Sequence, residues 1–262
     1  MSFNSKKQLA QFLAEDIGKG DITSALLDKK RITVTIISRE NAIVAGVQYA
    51  KEVFKIKGCS VKVLKKDGTK IKPNQTIMSI TGDAGKILTC ERTALNLLTR
   101  MSGIATQTNQ IVKKIPSKTK IYATRKTAPG LRYFDKEAVE IGGGKKHRLR
   151  LDEMVMIKDN HIAIEDSLLS LIKKAKKKYR KFEVEVENTQ DAILAAKEGA
   201  TIIMLDNFTP AQIKKTIQTL KDQKLRNNVL LEASGGINSK NIGKYGQTGV
   251  DIISVGSITN SV

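Results

Sequence analysis

The chain has 262 residues, 40% hydrophobic and 27% charged, with 46 Lys plus Arg against 26 Asp plus Glu, a formal charge of +20. Such a composition supports one large domain or two small ones around a real core, and excludes a disordered or collagen-like chain. No run of about 18 apolar residues occurs, which excludes a spanning helix.

Residues 1–15 mix Asn4, Lys6, Lys7 and Gln8 into the apolar positions, so they lack the apolar centre of a secretory signal. They predict instead a short amphipathic helix, opened by a capping box from Ser5 to Gln8 and carrying Leu9, Phe12 and Leu13 at helical spacing. Ile32, Val34 and Ile36 alternate with Thr33 and Thr35, the period of a strand. Val47, Ala50 and Phe54 predict a helix over 47–57 that ends at Gly58. Val61 and Val63 flank Lys62, Asp67-Gly68 marks a turn, and 76–81 is a further β-rich run. A small α+β domain up to about residue 85 follows. The fragment GDAGK over 82–86 has two residues between its glycines and Ile87 after the lysine, so it is no P-loop and is expected to be a turn. From Lys86 to about Ile115, Leu88, Leu95 and Leu98 predict a connecting helix or helix pair, interrupted at Gly103. Cys59 and Cys90 are too few and too distant for a disulfide framework or a metal clip, so a reducing, cytoplasmic setting is expected.

Beyond residue 115 the texture changes. Six short apolar runs, at 121–124, 155–157, 182–186, 202–205, 229–231 and 252–255, alternate with helix-length spacers such as 165–178, 189–199 and 209–221. Strict alternation predicts βα units, and six of them in so short a stretch suggest a barrel. The lysine runs at 113–120 and 173–181 contain one aromatic, Tyr179, and no nucleic-acid motif, so they are expected to be solvated faces.

In a βα barrel the chemistry sits where strands give way to the following loops. The six ends carry Thr124-Arg125-Lys126, Lys158-Asp159-Asn160-His161, the trio Glu183, Glu185 and Glu187, Asp206-Asn207, Ser234-Gly235-Gly236, and Gly256-Ser257. Glycine loops on the last two strands let backbone N–H groups approach a phosphate, helped by the helix N-termini that follow. Arg125, Lys126, His147, Arg148 and Lys158 converge on one mouth, and clustered like charges are tolerated best when an anion completes them. Arginine suits a carboxylate because its planar fork donates two parallel hydrogen bonds. Glu183, Glu185 and Glu187 face the barrel interior together, and with Asp206 they need a divalent cation, ligand hydroxyls or the basic cluster as partners; an ion pair of Glu185 with Lys158 or Arg125 is the simpler alternative. His147 and His161 lie far from any Cys or His cluster, so no zinc site is expected. A phosphorylated, polyanionic small molecule is the expected substrate class.

Taken in order, EDIGKGDIT (15–23), ERTALN (91–96), SGIAT (102–106), TRKTAPGLR (124–132), GGG (142–144) with His147-Arg148, IKDNH (157–161), EVEVE (183–187), LDNF (205–208), EASGG (232–236) and SVG (254–256) closely resemble the quinolinate phosphoribosyltransferases. The likeness runs from about residue 15 to residue 260. It implies a type II phosphoribosyltransferase: an N-terminal α/β sandwich domain with a connecting helix (1–100) and an incomplete, six- to seven-stranded α/β barrel (101–262), whose C-terminal end could pack back on the first domain. It implies transfer of phosphoribosyl from phosphoribosyl pyrophosphate to quinolinate, with Mg²⁺, giving nicotinate mononucleotide, pyrophosphate and CO₂ in NAD biosynthesis. It also implies a homodimer or higher oligomer with shared active sites, and neither nucleic-acid nor membrane partners.

Carried over position by position, Arg125, His147, Arg148 and Lys158 would hold the quinolinate carboxylates, with Lys126 between them and the phosphoribosyl substrate. Arg92 would reach in from the partner subunit. Glu185 and Asp206 would hold ribose hydroxyls and Mg²⁺, directly or through water, while Ser234, Gly235, Gly236, Gly256 and Ser257 would cradle phosphate. The catalytic set is then Lys126, Lys158, Glu185 and Asp206. Three departures stand out: the chain stops at Val262 where the family continues into one more apolar strand, Lys145-Lys146 precede His147, and Arg150 follows it. The rival readings are a molybdenum-transport-associated relative of unassigned substrate, which tends to lose the Lys158–His161 pattern, a nucleic-acid-binding protein, and a catalytically dead homologue.

Overall fold

The structure, a computed structural model, describes residues 4–261, and these fall into two units. The first comprises the chain up to Asn109 together with Tyr133–Gly143; the second comprises Gln110–Arg132 and Gly144–Ser261. The boundary expected between 100 and 101 lies inside a helix, and the segment 133–143 goes with the first unit.

In the first unit, α1 (Ser5–Ile17) and α2 (Val47–Ile56) pack together, each burying an apolar stripe: Leu9 and Leu13 in one, Val47, Ala50, Val53 and Phe54 in the other. Asn4 rather than Ser5 caps α1, its side chain accepting the Lys7 N–H at 3.1 Å. Around them run β1 (Arg31–Ile37), β2 (Ala42–Ile43), β3 (Ser60–Val63), β4 (Lys70–Ile71) and β5 (Thr76–Asp83). A three-stranded antiparallel sheet in the order β1-β5-β3 and a small β2-β4 ladder result. The GDAGK fragment makes no turn. Gly82 and Asp83 end β5 and Ala84 begins α3 (Ala84–Val112), so strand passes straight into helix. Helix α3 also runs unbroken through Gly103, because continuous burial of Leu97, Leu98, Met101, Ile104 and Ala105 outweighs the modest helix cost of one glycine. Within this unit Phe134, on α4 (Arg132–Ile141), meets Tyr49 edge-on, ring centroids 4.9 Å apart. The buried Asp135 accepts from Arg100 Nε and Nη2 at 2.8 and 2.9 Å.

The second unit is built from β6 (Lys120–Ala123), β7 (Val155–Ile157), β8 (Phe182–Val186), β9 (Ile202–Asp206), β10 (Leu230–Ser234) and β11 (Ile252–Val255), all parallel in the order β6-β11-β10-β9-β8-β7. Helices α5 (Asp159–Glu165), α6 (Leu168–Lys178), α7 (Thr189–Lys197), α8 (Pro210–Asp222), α9 (Ile242–Gly246) and α10 (Ser257–Asn260) complete the βα alternation. Each of the six strands begins within one residue of an apolar run of the sequence, and β10 runs three residues further than expected, to Ser234. Strands β6 and β7 end the strand order, and beyond β6 a backbone bridge from Lys145 extends the wall: Lys145 N–H donates to Ile121 and its carbonyl receives Ala123 N–H, at 2.8 and 2.9 Å. The lysines of 173–178 are all exposed on α6, as expected of a solvated face. Among the described residues, no helix is long and apolar enough to cross a membrane.

Candidate active site

Alternation along parallel strands builds the site. On β8 the side chains of Phe182, Val184 and Val186 are buried on one face, while Glu183 and Glu185 take the other. In register beside them stand Met156 on β7, Met204 on β9 and Glu232 on β10, and Ser234 is paired with Asp206. Glu187, expected inside with the other two glutamates, is exposed, because β8 ends at Val186 and the chain turns away.

One cavity of about 380 Å³ opens at this end of the strands, lined by Thr124, Arg125, Lys126, His147, Arg148 and Lys158 on the basic side and by Glu185, Asp206, Glu232, Ser234 and Ser254 on the other. Eight of the residues singled out from sequence are thus brought together. The two glycine loops sit side by side at the ends of the neighbouring strands β10 and β11, with Ser234 in the cavity wall. The helices after them are only five and four residues long, so the dipole assistance expected there is small, and the backbone N–H groups are what the loops offer. Gly235 has φ +90°, and a Cβ on it would fall 2.7 Å from Asn207 N, so only glycine lets this loop lie against the end of β9. Gly256 lies beside Lys126, whose backbone is also held by Thr124 and Thr259. Arg92 is exposed on α3 in the first unit.

The electrostatics are asymmetric. Arg148 is pressed below the ordinary arginine range by burial and by the neighbouring charge of Arg125. Arg125 Nε is itself buried with no hydrogen-bond partner. Two guanidiniums side by side, one with an idle buried donor, make a receptor for an anion with paired oxygens. Lys158 forms an ion pair with Glu185, the simpler of the partnerships expected for that carboxylate. Lys158 is itself held by His161, whose Nδ1 accepts the Lys158 backbone N–H at 3.1 Å, so the lysine-to-histidine motif is a local brace. Asp206 Oδ2 accepts from Asn207 Nδ2 at 2.7 Å. Hard carboxylate oxygens at Glu185 and Asp206 suit a magnesium-like ion. Of the departures, Lys145 is exposed and Arg150 is taken up by exposed Asp152 at 2.9 Å, so neither adds charge to the cavity.

The sequence did not point to the floor. His147 Nε2 lies 3.0 Å from Glu183 Oε2 and 3.7 Å from Glu232 Oε2, and Ser254 donates to Glu232 Oε1 at 2.6 Å. Both carboxyls are wholly inaccessible and are pushed up to about 8, chiefly by burial, with Arg148 and Lys158 pulling Glu183 the other way and Glu183 adding to the rise at Glu232. Residue spacing separates His147 from its partners by one and by three strands. The only signal available was alternation, which put Glu183 on the Glu185 face.

The family model described as quinolinate phosphoribosyl transferase, C-terminal domain, matches residues 104–262, and that of the N-terminal domain matches 21–102. The chain belongs to the quinolinate phosphoribosyltransferase family. It is 43% identical over 261 residues to a protein of Methanothermobacter thermautotrophicus named probable nicotinate-nucleotide pyrophosphorylase [carboxylating], covering 97% of this chain and 94% of that one. A Bacillus subtilis protein of the same name is 38% identical over 264 residues, covering 98% and 90%. Among solved structures, the nicotinate-nucleotide pyrophosphorylase of Francisella tularensis superposes with TM-score 0.90 at 39% identity, covering 98% of this chain and 91% of that one. That of Ehrlichia chaffeensis gives 0.93 at 36%, covering 100% and 96%. The fold inferred from family motifs, an incomplete α/β barrel with a small α/β unit, is therefore the fold of the family.

Proposed function

We propose that the protein transfers phosphoribosyl from phosphoribosyl pyrophosphate to quinolinate with loss of CO₂, forming nicotinate mononucleotide and pyrophosphate in NAD biosynthesis. The observation that carries this reading is the paired guanidiniums of Arg125 and Arg148 in one cavity, with Arg125 Nε lacking a partner. A vicinal dicarboxylate supplies the two carboxylates that such a pair needs. The relatives that carry the carboxylating name leave the molybdenum-associated alternative without support, and Lys158 to His161 is intact.

In this reading Arg125, His147, Arg148 and Lys158 hold the quinolinate carboxylates and Lys126 faces the phosphoribosyl side. As the bond from ribose C1 to the pyrophosphate oxygen breaks, positive character develops on the ribose, and the carboxylates of Glu185 and Asp206 would stabilise it. The pyridine nitrogen forms the new bond to C1 and becomes cationic. When the bond to the 2-carboxyl breaks, the electron pair is left on the adjacent ring carbon, where that cationic nitrogen stabilises it until a proton is taken up. Mg²⁺, held by Glu185 and Asp206 directly or through water, would neutralise charge on the departing pyrophosphate. Ser234, Gly235, Gly236, Gly256 and Ser257 would take the ribose phosphate on backbone N–H groups. We further propose a homodimer in which the partner subunit's Arg92 completes each site, and a cytoplasmic setting, supported by the free, buried Cys59 and Cys90.

Turnover with quinolinate, phosphoribosyl pyrophosphate and Mg²⁺, followed as nicotinate mononucleotide, tests the reaction, with nicotinate as the control acceptor. Product from quinolinate alone is expected; none from a folded protein overturns it. Mixing an Arg92→Ala chain with an Arg125→Ala chain tests the shared site, since a hybrid dimer would regain one intact site, and absence of complementation counts against the dimeric arrangement.

A further inference from the structure

A second cavity, of about 640 Å³, lies in the same unit as the first, framed by β7, the loop before it and α6. The reaction proposed above makes no use of it. Its body is apolar, built from Leu151, Met154, Val155, Ile157 and Leu171. Its cationic side is formed by Lys174, Lys177 and Lys178 of α6, His161 of α5 and Arg148 of the loop, and no carboxylate lines it. Leu171, Lys174, Ala175 and Lys178 follow the i, i+3, i+4, i+7 spacing of one helix face, so helical geometry brings part of the lysine run to the recess, while Lys173 and Lys176 do not line it. Lysines in a last turn complement the helix dipole, which accounts for the charge but not for the apolar recess beside it. Lys174 is ion-paired with Glu165, whereas Lys177 and Lys178 have no ion pair among the described residues. Tyr179, 53% exposed, completes the lining.

A recess of this size takes a small molecule rather than an ion alone. Several lysine point charges suit a phosphate chain, whereas a carboxylate is better matched by an arginine fork. A tyrosine ring and the thioethers of Met154 and Met156 in one recess suit the face of a flat aromatic body. Arg148 and Met156 line both cavities, and Arg148 Nη2 lies 3.2 Å from Met156 Sδ, so this pair forms a partition between them. We propose that the second cavity binds a nucleotide, its base in the apolar recess and its phosphates on Lys177 and Lys178, and that its occupancy weakens quinolinate binding through the shared Arg148. The coupling follows from charge. A polyanion beyond the partition draws on the same guanidinium that the substrate carboxylate needs, and linkage makes the effect reciprocal.

The coupling rests on the proposed quinolinate reading, while the site itself does not, and the test keeps them apart. ATP is the probe, titrated calorimetrically into the whole protein, with tripolyphosphate as a chain lacking a base and octanoate as an apolar anion lacking phosphate. ATP is expected to bind in the presence of saturating phosphoribosyl pyrophosphate, and both controls roughly tenfold more weakly, since each lacks half of the recognised chemistry. Replacing both exposed lysines, Lys177→Ala with Lys178→Ala, is expected to weaken ATP roughly tenfold, and Tyr179→Ala about fivefold, with turnover in the absence of ATP unchanged. With ATP bound, the quinolinate Kd, measured by direct titration, is expected to rise about fivefold in the wild type and to stay constant in the double-lysine variant. ATP that is displaced by phosphoribosyl pyrophosphate and indifferent to the lysine substitutions occupies the first cavity, which overturns the proposal. Tripolyphosphate binding as tightly as ATP reduces the site to a basic surface, and tighter octanoate makes it a site for lipid-like anions; either result overturns the nucleotide assignment. ATP bound with no change in quinolinate Kd overturns the coupling. A wild-type protein that neither binds nor turns over quinolinate defeats the reaction instead, and the ATP titrations still decide the second cavity.

Discussion

The two units bury charge in opposite ways. In the first, Asp135 is wholly inaccessible and both its oxygens are occupied by Arg100, so the pair is closed on itself. In the second, Glu183 Oε1 and Glu232 Oε2 are buried without hydrogen-bond partners, and Arg125 Nε is an idle donor in the same unit. Satisfied buried charge specifies a structure, whereas unsatisfied buried charge is an unfavourable state that a ligand or a bound proton relieves. The first unit is therefore organised for stability and the barrel for binding.

That contrast can be broken experimentally. Asp135→Ala strips both hydrogen bonds from Arg100 and should cost about 3 kcal/mol in denaturant unfolding, at the lower end for a buried pair because Arg100 is 24% exposed. The folded fraction should keep its kcat. Arg125→Ala should do the reverse: quinolinate binding falls by about 100-fold, the range for loss of a bidentate charged contact, with the thermal midpoint nearly unchanged. Normal affinity in calorimetric titration would remove Arg125 from the site.

Glu232 sharpens the same comparison through pH. Its carboxyl is held protonated up to about 8 in the folded chain but ionises near 4.5 when exposed. The folded state thus binds the extra proton across that window, so the stability this group contributes is complete below about pH 4.5 and is lost as pH rises towards 8. Relative to Glu232→Gln, which cannot titrate, wild-type unfolding free energy should fall with pH by up to about 1.4 kcal/mol per unit and level off above 8. A wild-type stability that rises with pH relative to the Gln variant would contradict the burial argument. The smallest effect concerns the first unit, where burial pushes Cys90 up to about 12 and also raises Cys59. Both thiols should react with a maleimide only on the timescale of unfolding; prompt labelling of the native protein would show that this unit opens locally.

Local periodicity was enough for the six barrel strands, because each is a short apolar run bounded by polar or glycine-rich ends, and for Arg125, Lys126, Lys158, Glu185, Asp206 and Ser234, because strand ends are where a βα barrel gathers its chemistry. Ordered family motifs supplied the rest of the site and the reaction. Helix boundaries were less legible: Gly103 reads as a breaker but lies in a helix whose buried face overrides it, and Ser5 reads as a cap that Asn4 provides. The triad of His147, Glu183 and Glu232 is a property of strand order alone. No pattern within β8 or β10 states that their interior faces meet a loop residue from between β6 and β7; only closure of the parallel wall brings them within hydrogen-bond reach. The sequence by itself determined which side chains face inward and which ends carry charge, since period-two alternation is local, while tertiary structure decided which of those charges are paired, left idle or kept protonated, since that depends on neighbours far apart in the chain.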